Sequence, residues 1–284
     1  MQIKQIAVVG CGTMGAGIIQ VAAQTGIEVV GVERTEPDAE AARLRIEAGL
    51  EATAARGRIT PEQAREATSR FTVTTELARV ADADLVVEAV FEDVELKKGV
   101  LKEIDGLVGP DTFIASNTST IPLVILAAAT SRPDRVVGLH FFNPVPAMKL
   151  VEVIKTPVTS AEHVRTMVDL AVAMGKNPVV VNDVPGFVGN LLIVPYLLDA
   201  VRAFERGVAD MESIDSVIRL GFNHPMGPFR LSDLIGLDIV HDMAASMYEE
   251  YKDPRYFPPP LLKQYVRLGW LGRKTGRGFY RYDD

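Results

Sequence analysis

The first two-thirds of the chain alternates short apolar runs with longer stretches in which apolar residues recur at helical spacing. Several runs are apolar on consecutive residues, as expected for strands whose two faces are both covered by helices. The predicted strands cover residues 6–9, 29–32, 71–74, 85–89, 113–116, 136–140, 150–154 and 179–181. Because strands alternate with helices, the pattern predicts an α/β fold with a doubly wound, mostly parallel sheet.

The pattern changes after Asp183-Val184-Pro185-Gly186, where helical periodicity continues but no convincing strand follows. Helices are predicted over residues 187–206, 211–220, 228–251 and a short segment that ends near Gly269. We therefore predict two domains. Residues 1–184 form the sheet domain, and residues 185–284 form an all-helical C-terminal domain.

Composition and charge narrow the classes of function. The 284 residues are 48% hydrophobic and 24% charged, as in an ordinary globular protein. A net charge of −7 disfavours a nucleic-acid partner, because no basic surplus can neutralise phosphates. No apolar run reaches the roughly 18 residues of a membrane span, the N-terminal segment lacks signal-peptide character, and the single cysteine permits no internal disulfide. We expect a cytoplasmic enzyme with no membrane partner and no metal site.

A glycine-rich motif, Gly10-Cys11-Gly12-Thr13-Met14-Gly15, joins the first predicted strand to a helix. Gly10 permits a tight turn, Gly12 lets the backbone approach a pyrophosphate, and Gly15 allows close helix–strand packing. N–H groups at the helix start would receive the phosphate charge, so Thr13 and Met14 join the glycines as candidate cofactor-binding residues. The context is typical of a Rossmann-like dinucleotide site, and a tight turn without a ligand is the alternative.

Glu33 ends the second predicted strand eighteen residues after Gly15, near the spacing of about 20 expected for an acidic ribose ligand. A carboxylate there accepts hydrogen bonds from the ribose hydroxyls and repels a 2′-phosphate, so NAD is preferred over NADP. The neighbouring Arg34 would offset part of that repulsion. Cys11 is interpreted as a small filler of the loop rather than a reactive thiol.

His140 ends a predicted strand, at the edge where open α/β sheets bind ligands. Glu152 lies twelve residues later on the next predicted strand. A buried carboxylate at hydrogen-bonding distance would fix the imidazole tautomer and raise its basicity. The pair therefore indicates a base with an orienting group, as proton transfer coupled to hydride transfer requires. A surface charge on an edge strand is the alternative for Glu152.

Several further motifs are distributed along the whole chain in a defined order. They are Ser116-Asn117-Thr118-Ser119, the run from His140 to Glu152, Pro185-Gly186-Phe187 with Asn190, Pro225-Met226-Gly227-Pro228, and Gly272-Arg273-Lys274-Thr275-Gly276-Arg277-Gly278-Phe279-Tyr280. Together they resemble the L-3-hydroxyacyl-CoA dehydrogenase family, most closely the bacterial 3-hydroxybutyryl-CoA dehydrogenases. The resemblance covers essentially the whole chain and is far more specific than the glycine motif.

The resemblance implies oxidation of a (3S)-3-hydroxyacyl-CoA, with a short acyl chain, to the 3-ketoacyl-CoA by NAD. His140 would be the general base and Glu152 its orienting partner, while Ser119 and Asn190 would hydrogen-bond the reacting oxygens. Positioning of this kind lowers a barrier by several kcal/mol. Further cofactor contacts are implied for Glu92, Lys97, Ser119, Asn143 and Lys274.

The acyl-CoA substrate carries phosphates, and residues 43–58 contain Arg43, Arg45, Arg56 and Arg58. The resemblance implies a basic contact to coenzyme A at Arg56, whereas the alternative is that these arginines belong to a solvated helix. One position departs from the family. After Asn190 the family usually has arginine, but this chain has Leu191, which removes any ion pair that the arginine makes.

Alternatives to this function stay open. The related β-hydroxyacid dehydrogenases also join a Rossmann-like domain to a helical one, but their mechanism depends on lysine. A branch within the family acts on free sugar acids, and a third possibility is a non-catalytic protein that only binds NAD. A homodimer through the apolar C-terminal domain is expected, and packing of that surface within its own chain is the alternative.

Overall fold

The computed structural model describes residues 3–282, and the chain divides into two compact units, Met1–Val184 and Pro185–Asp284. The first unit contains one eight-stranded sheet. Its strands are β1 (Gln5–Val9), β2 (Glu28–Val32), β3 (Phe71–Thr74), β4 (Leu85–Glu88), β5 (Phe113–Ser116), β6 (Val136–Phe141), β7 (Leu150–Lys155) and β8 (Asn177–Asn182). All eight predicted strands are confirmed, with their ends shifted by at most two residues.

The strand order across the sheet is β3-β2-β1-β4-β5-β6-β7-β8. The pairs from β3 through β6 are parallel, β7 runs antiparallel to β6, and β8 is parallel to β7. Only residues 142–149 join β6 to β7, and a parallel crossover needs a dozen or more residues. The order of connections reverses at β1 and β4, and such a reversal is where open α/β sheets bind ligands.

Residues 3–184 of the first unit form six α-helices, and side chains cap most of them. They are α1 (Thr13–Gln24), α2 (Glu36–Ala55), α3 (Pro61–Ser69), α4 (Val94–Leu107), α5 (Leu123–Ala127) and α6 (Ala161–Ala173). At α3 the Thr60 hydroxyl accepts from the Gln63 N–H and the Gln63 side chain accepts from the Thr60 N–H, which completes a capping box. The core between helices and sheet contains the buried apolar faces of β1, β4 and β6 with those of α1 and α6.

The second unit is helical and has its own apolar core. Its helices are α7 (Gly189–Glu205), α8 (Met211–Gly221), α9 (Pro228–Ile235), α10 (Leu237–Tyr251) and α11 (Pro260–Arg267). The predicted single helix over 228–251 was wrong, because Gly236 has φ of 108° and breaks it into two. The first helix starts at Gly189 rather than at Phe187, whose φ of 51° is not helical. Within residues 3–282, no helix is long and apolar enough to cross a bilayer.

Helix α7 contains Pro195, which has no N–H to donate to the carbonyl of Leu191 one turn earlier. The hydroxyl of Tyr256 donates to that carbonyl at 3.4 Å. Tyr256 is fully buried in the second unit, so the freed acceptor is satisfied inside the core. The Leu191 side chain packs against the same apolar core. Leu191 therefore contributes both its side chain and its carbonyl to contacts within the second unit.

Candidate active site

The glycine-rich loop between β1 and α1 has the backbone shape that its sequence predicts. Gly10 has φ of 89°, and a Cβ there would lie 2.8 Å from the Ala89 carbonyl oxygen. At Gly15 a Cβ would collide with the Gly10 carbonyl, so only glycine permits this approach of helix to loop. A Cβ on Gly12 would instead meet no heavy atom of the described residues within 4 Å. The backbone at Gly12 is therefore open on the side from which a ligand would come.

The N-terminus of α1 differs from those of its neighbours. Gly12 is its N-cap and provides no side-chain hydrogen bond, and the first turn contains no acidic residue. By contrast, α2, α3, α4 and α6 each have a side-chain cap and at least one acidic residue in the first turn. The first turn of α1 thus carries neither a side-chain cap nor an acidic residue, and its amides fit the pyrophosphate of a dinucleotide.

Glu33 is attached to this loop. Its Oε1 accepts from the Cys11 N–H at 2.6 Å, and the guanidinium of Arg45 donates to the Cys11 carbonyl at 3.1 Å. Side chains therefore hold both the N–H and the carbonyl of Cys11. Burial, followed by the nearby Glu33 charge, raises the pKa of the Cys11 thiol to about 12, which agrees with its interpretation as a filler. Arg34 is exposed beside Glu33.

A buried ion-pair network lies at the carboxyl end of β4. The ammonium of Lys97, which is fully buried, donates to Glu88 Oε1 at 2.7 Å and lies 3.3 Å from Glu92 Oε2. Glu88 is also fully buried, and its other oxygen accepts from the Ser116 hydroxyl at 2.6 Å. Buried charges persist when they are paired and hydrogen-bonded, as here. The network joins the ends of β4 and β5 to α4, and it includes the predicted contacts Glu92 and Lys97.

The loop that contains Ser119 is fastened to the same network. Glu92 Oε1 accepts from the Ser119 N–H at 2.7 Å, the Thr118 hydroxyl at 2.7 Å and the Thr120 N–H at 3.1 Å. Burial by itself raises the pKa of the Glu92 carboxyl, but Lys97 and these hydrogen bonds outweigh it and lower the pKa overall. Beyond the loop, Asp183 accepts from the first amides of α5. Ser119 is thus positioned from both sides.

His140 and Glu152 face each other across the only antiparallel pair of the sheet described. They are register partners on β6 and β7, and His140 Nδ1 lies 2.7 Å from Glu152 Oε2. His140 is 5% exposed and Glu152 is 2% exposed. Glu152 is therefore buried against the imidazole rather than a surface charge. The ring of Phe142 packs against the imidazole, with 4.7 Å between ring centroids.

The remaining predicted site residues fall into separate places. Asn143 is exposed in the loop after β6. In the second unit, Asn190 is buried in the first turn of α7, and Lys274 donates to Asp238 at 2.6 Å. Arg56 is the exposed C-cap residue of α2.

Of the other arginines near Arg56, two have defined partners within the first unit. Arg43 forms ion pairs with Glu40 and Glu47 on its own helix, and Arg45 binds the glycine-rich loop. Sequence reasoning missed the role of Arg45, because the contact joins residues 34 positions apart. It also missed Glu88, although an acidic residue at the end of an otherwise apolar strand was a usable signal.

Comparison with known proteins shows which family the chain matches. Residues 5–184 match the family described as 3-hydroxyacyl-CoA dehydrogenase, NAD binding domain, and residues 186–282 match its C-terminal domain. The chain belongs to the 3-hydroxyacyl-CoA dehydrogenase family. The resemblance read from the sequence motifs is thereby confirmed.

Relatives and solved structures agree over the full length. The chain is 47% identical to a 3-hydroxybutyryl-CoA dehydrogenase of Mycobacterium tuberculosis, with 99% of each chain covered. It is 43% identical to the human mitochondrial hydroxyacyl-coenzyme A dehydrogenase, covering 99% of this chain and 91% of that one. Among solved structures, (S)-3-hydroxybutyryl-CoA dehydrogenase PaaH1 from Ralstonia eutropha superposes with a TM-score of 0.94 at 40% identity, and each chain is fully covered.

Proposed function

We propose that this protein catalyses the NAD-dependent oxidation of a short-chain (3S)-3-hydroxyacyl-CoA, such as 3-hydroxybutyryl-CoA, to the 3-ketoacyl-CoA. The observation that carries the proposal is the buried His140–Glu152 pair at the ligand-binding edge of a sheet whose glycine-rich loop fits a dinucleotide. The full-length likeness to 3-hydroxybutyryl-CoA dehydrogenases supports the substrate class.

His140 acts as the general base in this proposal. Because Nδ1 lies on the Glu152 carboxylate, the other ring nitrogen, Nε2, takes the proton of the substrate's 3-hydroxyl. The buried carboxylate stabilises the imidazolium that forms and holds the ring in one tautomer. NAD⁺, when bound, supplies the acceptor for the hydride that leaves C3. General base catalysis of this kind contributes about 10²- to 10⁴-fold in rate.

Ser119 and Asn190 orient the substrate. Each has a side chain that can hydrogen-bond the 3-oxygen or the thioester carbonyl, and Ser119 lies on a loop fixed through Glu92. Glu33 receives the adenosine ribose, and its negative charge disfavours the 2′-phosphate of NADP. Asn143 and Lys274 complete the proposed cofactor contacts, and Arg56 provides the basic contact to coenzyme A. For Lys97 we propose an indirect part, through Glu92, because its ammonium is buried.

The decisive experiment follows NADH consumption with acetoacetyl-CoA in wild type and in His140→Ala. We expect CoA-dependent turnover in wild type and a loss of about a thousandfold in the variant. His241 provides a matched control, because its Nδ1 also lies near a carboxylate, that of Asp242 at 3.0 Å, but on the surface of α10. His241→Ala should keep activity within twofold. The proposal is contradicted if wild type does not consume NADH with acetoacetyl-CoA, or if His140→Ala retains the activity.

The same assay separates the alternatives. Free acetoacetate and a free sugar acid in place of the thioester test the free-acid branch, and NADPH in place of NADH tests the role of Glu33. A protein that binds NADH but turns over none of these compounds is the non-catalytic alternative. Acyl-CoA substrates of increasing chain length then define the preferred chain.

We also propose a homodimer formed through the second unit. Large apolar side chains are exposed there, and exposed apolar patches often mark protein–protein interfaces. They include Leu192, Val217, Leu220, Phe222, Leu234 and Ile239, each more than 40% exposed. Light scattering should give twice the 30.9 kDa chain mass. Replacing both Leu220 and Phe222 with Asp should give monomers, whereas Val172→Asp in α6, also exposed, should not.

A further inference from the structure

Lys176 is a buried lysine outside the groups used above. It is 6% exposed and lies between α6 and β8, just after Gly175. Its backbone N–H donates to the Ala171 carbonyl at 2.9 Å, and Gly175 has φ of 70°, as in a common helix C-terminal motif. The Lys176 side chain therefore leaves the backbone from a fixed position.

The ammonium of Lys176 binds the connection between β6 and β7. It donates to the carbonyl of Val145 and, at 2.9 Å, to the carbonyl of Met148. Across residues 3–282, the ammonium forms no ion pair with a carboxylate. Burial, with a smaller effect of Lys149, lowers the pKa of the Lys176 ammonium. Burying an ammonium group is costly unless its hydrogen bonds are kept. We therefore expect the two carbonyls that accept from Lys176 to hold the loop in one conformation.

The connection bound by Lys176 is the loop of residues 142–149, which we call the hairpin loop. It starts at Phe142, whose ring packs on His140, and it contains the exposed Asn143. The Val145 side chain is buried against Gly17 of α1, where a Cβ would lie 2.8 Å from the Val145 Cβ. Lys176 and α1 therefore hold the loop at Val145 from two directions.

We propose that Lys176 is a positioning residue for the cofactor, acting through the hairpin loop. Its two hydrogen bonds fix the loop between Val145 and Met148 and thereby set the position of Asn143, the proposed cofactor contact in the same loop. This inference rests on the proposed function for the contact of Asn143 with NAD. The His140–Glu152 pair is held separately by the β6–β7 ladder, so cofactor binding should depend on Lys176 more than the chemical step does.

The test is Lys176→Met, which keeps the length of the apolar stem and removes the donors. We expect NADH binding, followed by its fluorescence, to weaken about tenfold, as for loss of a hydrogen bond to a charged group. The KM for NAD should rise similarly while kcat at saturation stays within twofold. Amide hydrogen exchange should accelerate at Ala147 and Met148, which both donate to the Pro144 carbonyl, and stay unchanged in β1.

Lys149→Met is the matched control, because Lys149 is exposed in the same loop and contributes the same charge. If both variants weaken NADH binding equally, general attraction of the anionic cofactor explains the effect and the proposal fails. It also fails if Lys176→Met binds NADH like wild type, or if kcat falls while affinity is unchanged. Should Lys176→Met not fold, Lys176→Gln keeps an uncharged N–H donor group, and a loss of about threefold is expected.

Failure of the proposed function gives a different result. In that case wild type shows no turnover of acetoacetyl-CoA or no NADH binding, but the exchange measurement still reports whether Lys176 holds the loop. Unchanged exchange at Ala147 and Met148 in a folded variant overturns the structural half of the inference.

Discussion

His140 and His163 are buried to nearly the same extent, at 5% and 6% exposure, but their surroundings are opposite. His140 Nδ1 lies 2.7 Å from a carboxylate oxygen of Glu152. Within residues 3–282, His163 Nδ1 has no hydrogen-bond partner, and the ring packs edge-on against Phe113 of β5. Burial, and then the charge of Arg135, lowers the pKa of the His163 imidazole. Burial alone therefore does not make a histidine a base, whereas a buried counter-charge can.

Removing the carboxylate of Glu152 should leave His140 buried without a counter-charge, as His163 is. We expect this change to have the largest effect on activity. Glu152→Ala leaves His140 without its orienting carboxylate, and we expect kcat to fall by about a thousandfold. Glu152→Gln keeps an acceptor for Nδ1 but not the charge, and should fall about a hundredfold. Steady-state kinetics with acetoacetyl-CoA measure both. Glu162→Gln, beside His163, is the control and should change kcat less than twofold; a Glu152→Ala enzyme of normal activity refutes the comparison.

Removing His163 should change stability and leave catalysis alone. Because the pKa of folded His163 lies below its unfolded value of about 6.5, the unfolded state binds the proton more readily. The stability linked to this group is complete above pH 6.5 and is lost as pH falls towards the folded pKa. In His163→Leu the thermal midpoint should therefore decline less between pH 7 and pH 5 than in wild type, with kcat within twofold. An unaltered slope would contradict this role.

The smallest effect should come from Arg135, which lies near His163 but outside its ring contacts. Its positive charge contributes to the lowered pKa of His163, so Arg135→Gln should raise that pKa towards the unfolded value. The acid dependence of the thermal midpoint should then lie between those of wild type and His163→Leu. Part of the change will come from the exposed ion pair with Asp111, which Asp111→Asn in the wild-type background measures.

The sheet was predictable because its strands are short apolar runs with clear ends, and such runs depend mainly on local sequence. The His140–Glu152 pair was also within reach, since both residues lie near the ends of adjacent strands. The break at Gly236 was not, because apolar spacing continues through it and only the backbone angle shows the interruption. Glu88, Arg45 and Lys176 were missed for another reason. Their partners come from other elements, so their roles depend on packing.

The antiparallel turn between β6 and β7 has a consequence for how the sequence can change. It gathers the proposed base and its carboxylate into thirteen consecutive residues, closed by a loop of eight. Closing so short a loop costs little entropy, so the pair can form without waiting for distant parts of the chain. Sequence changes in other segments, including the second unit, therefore leave the proposed base and its carboxylate together on one hairpin.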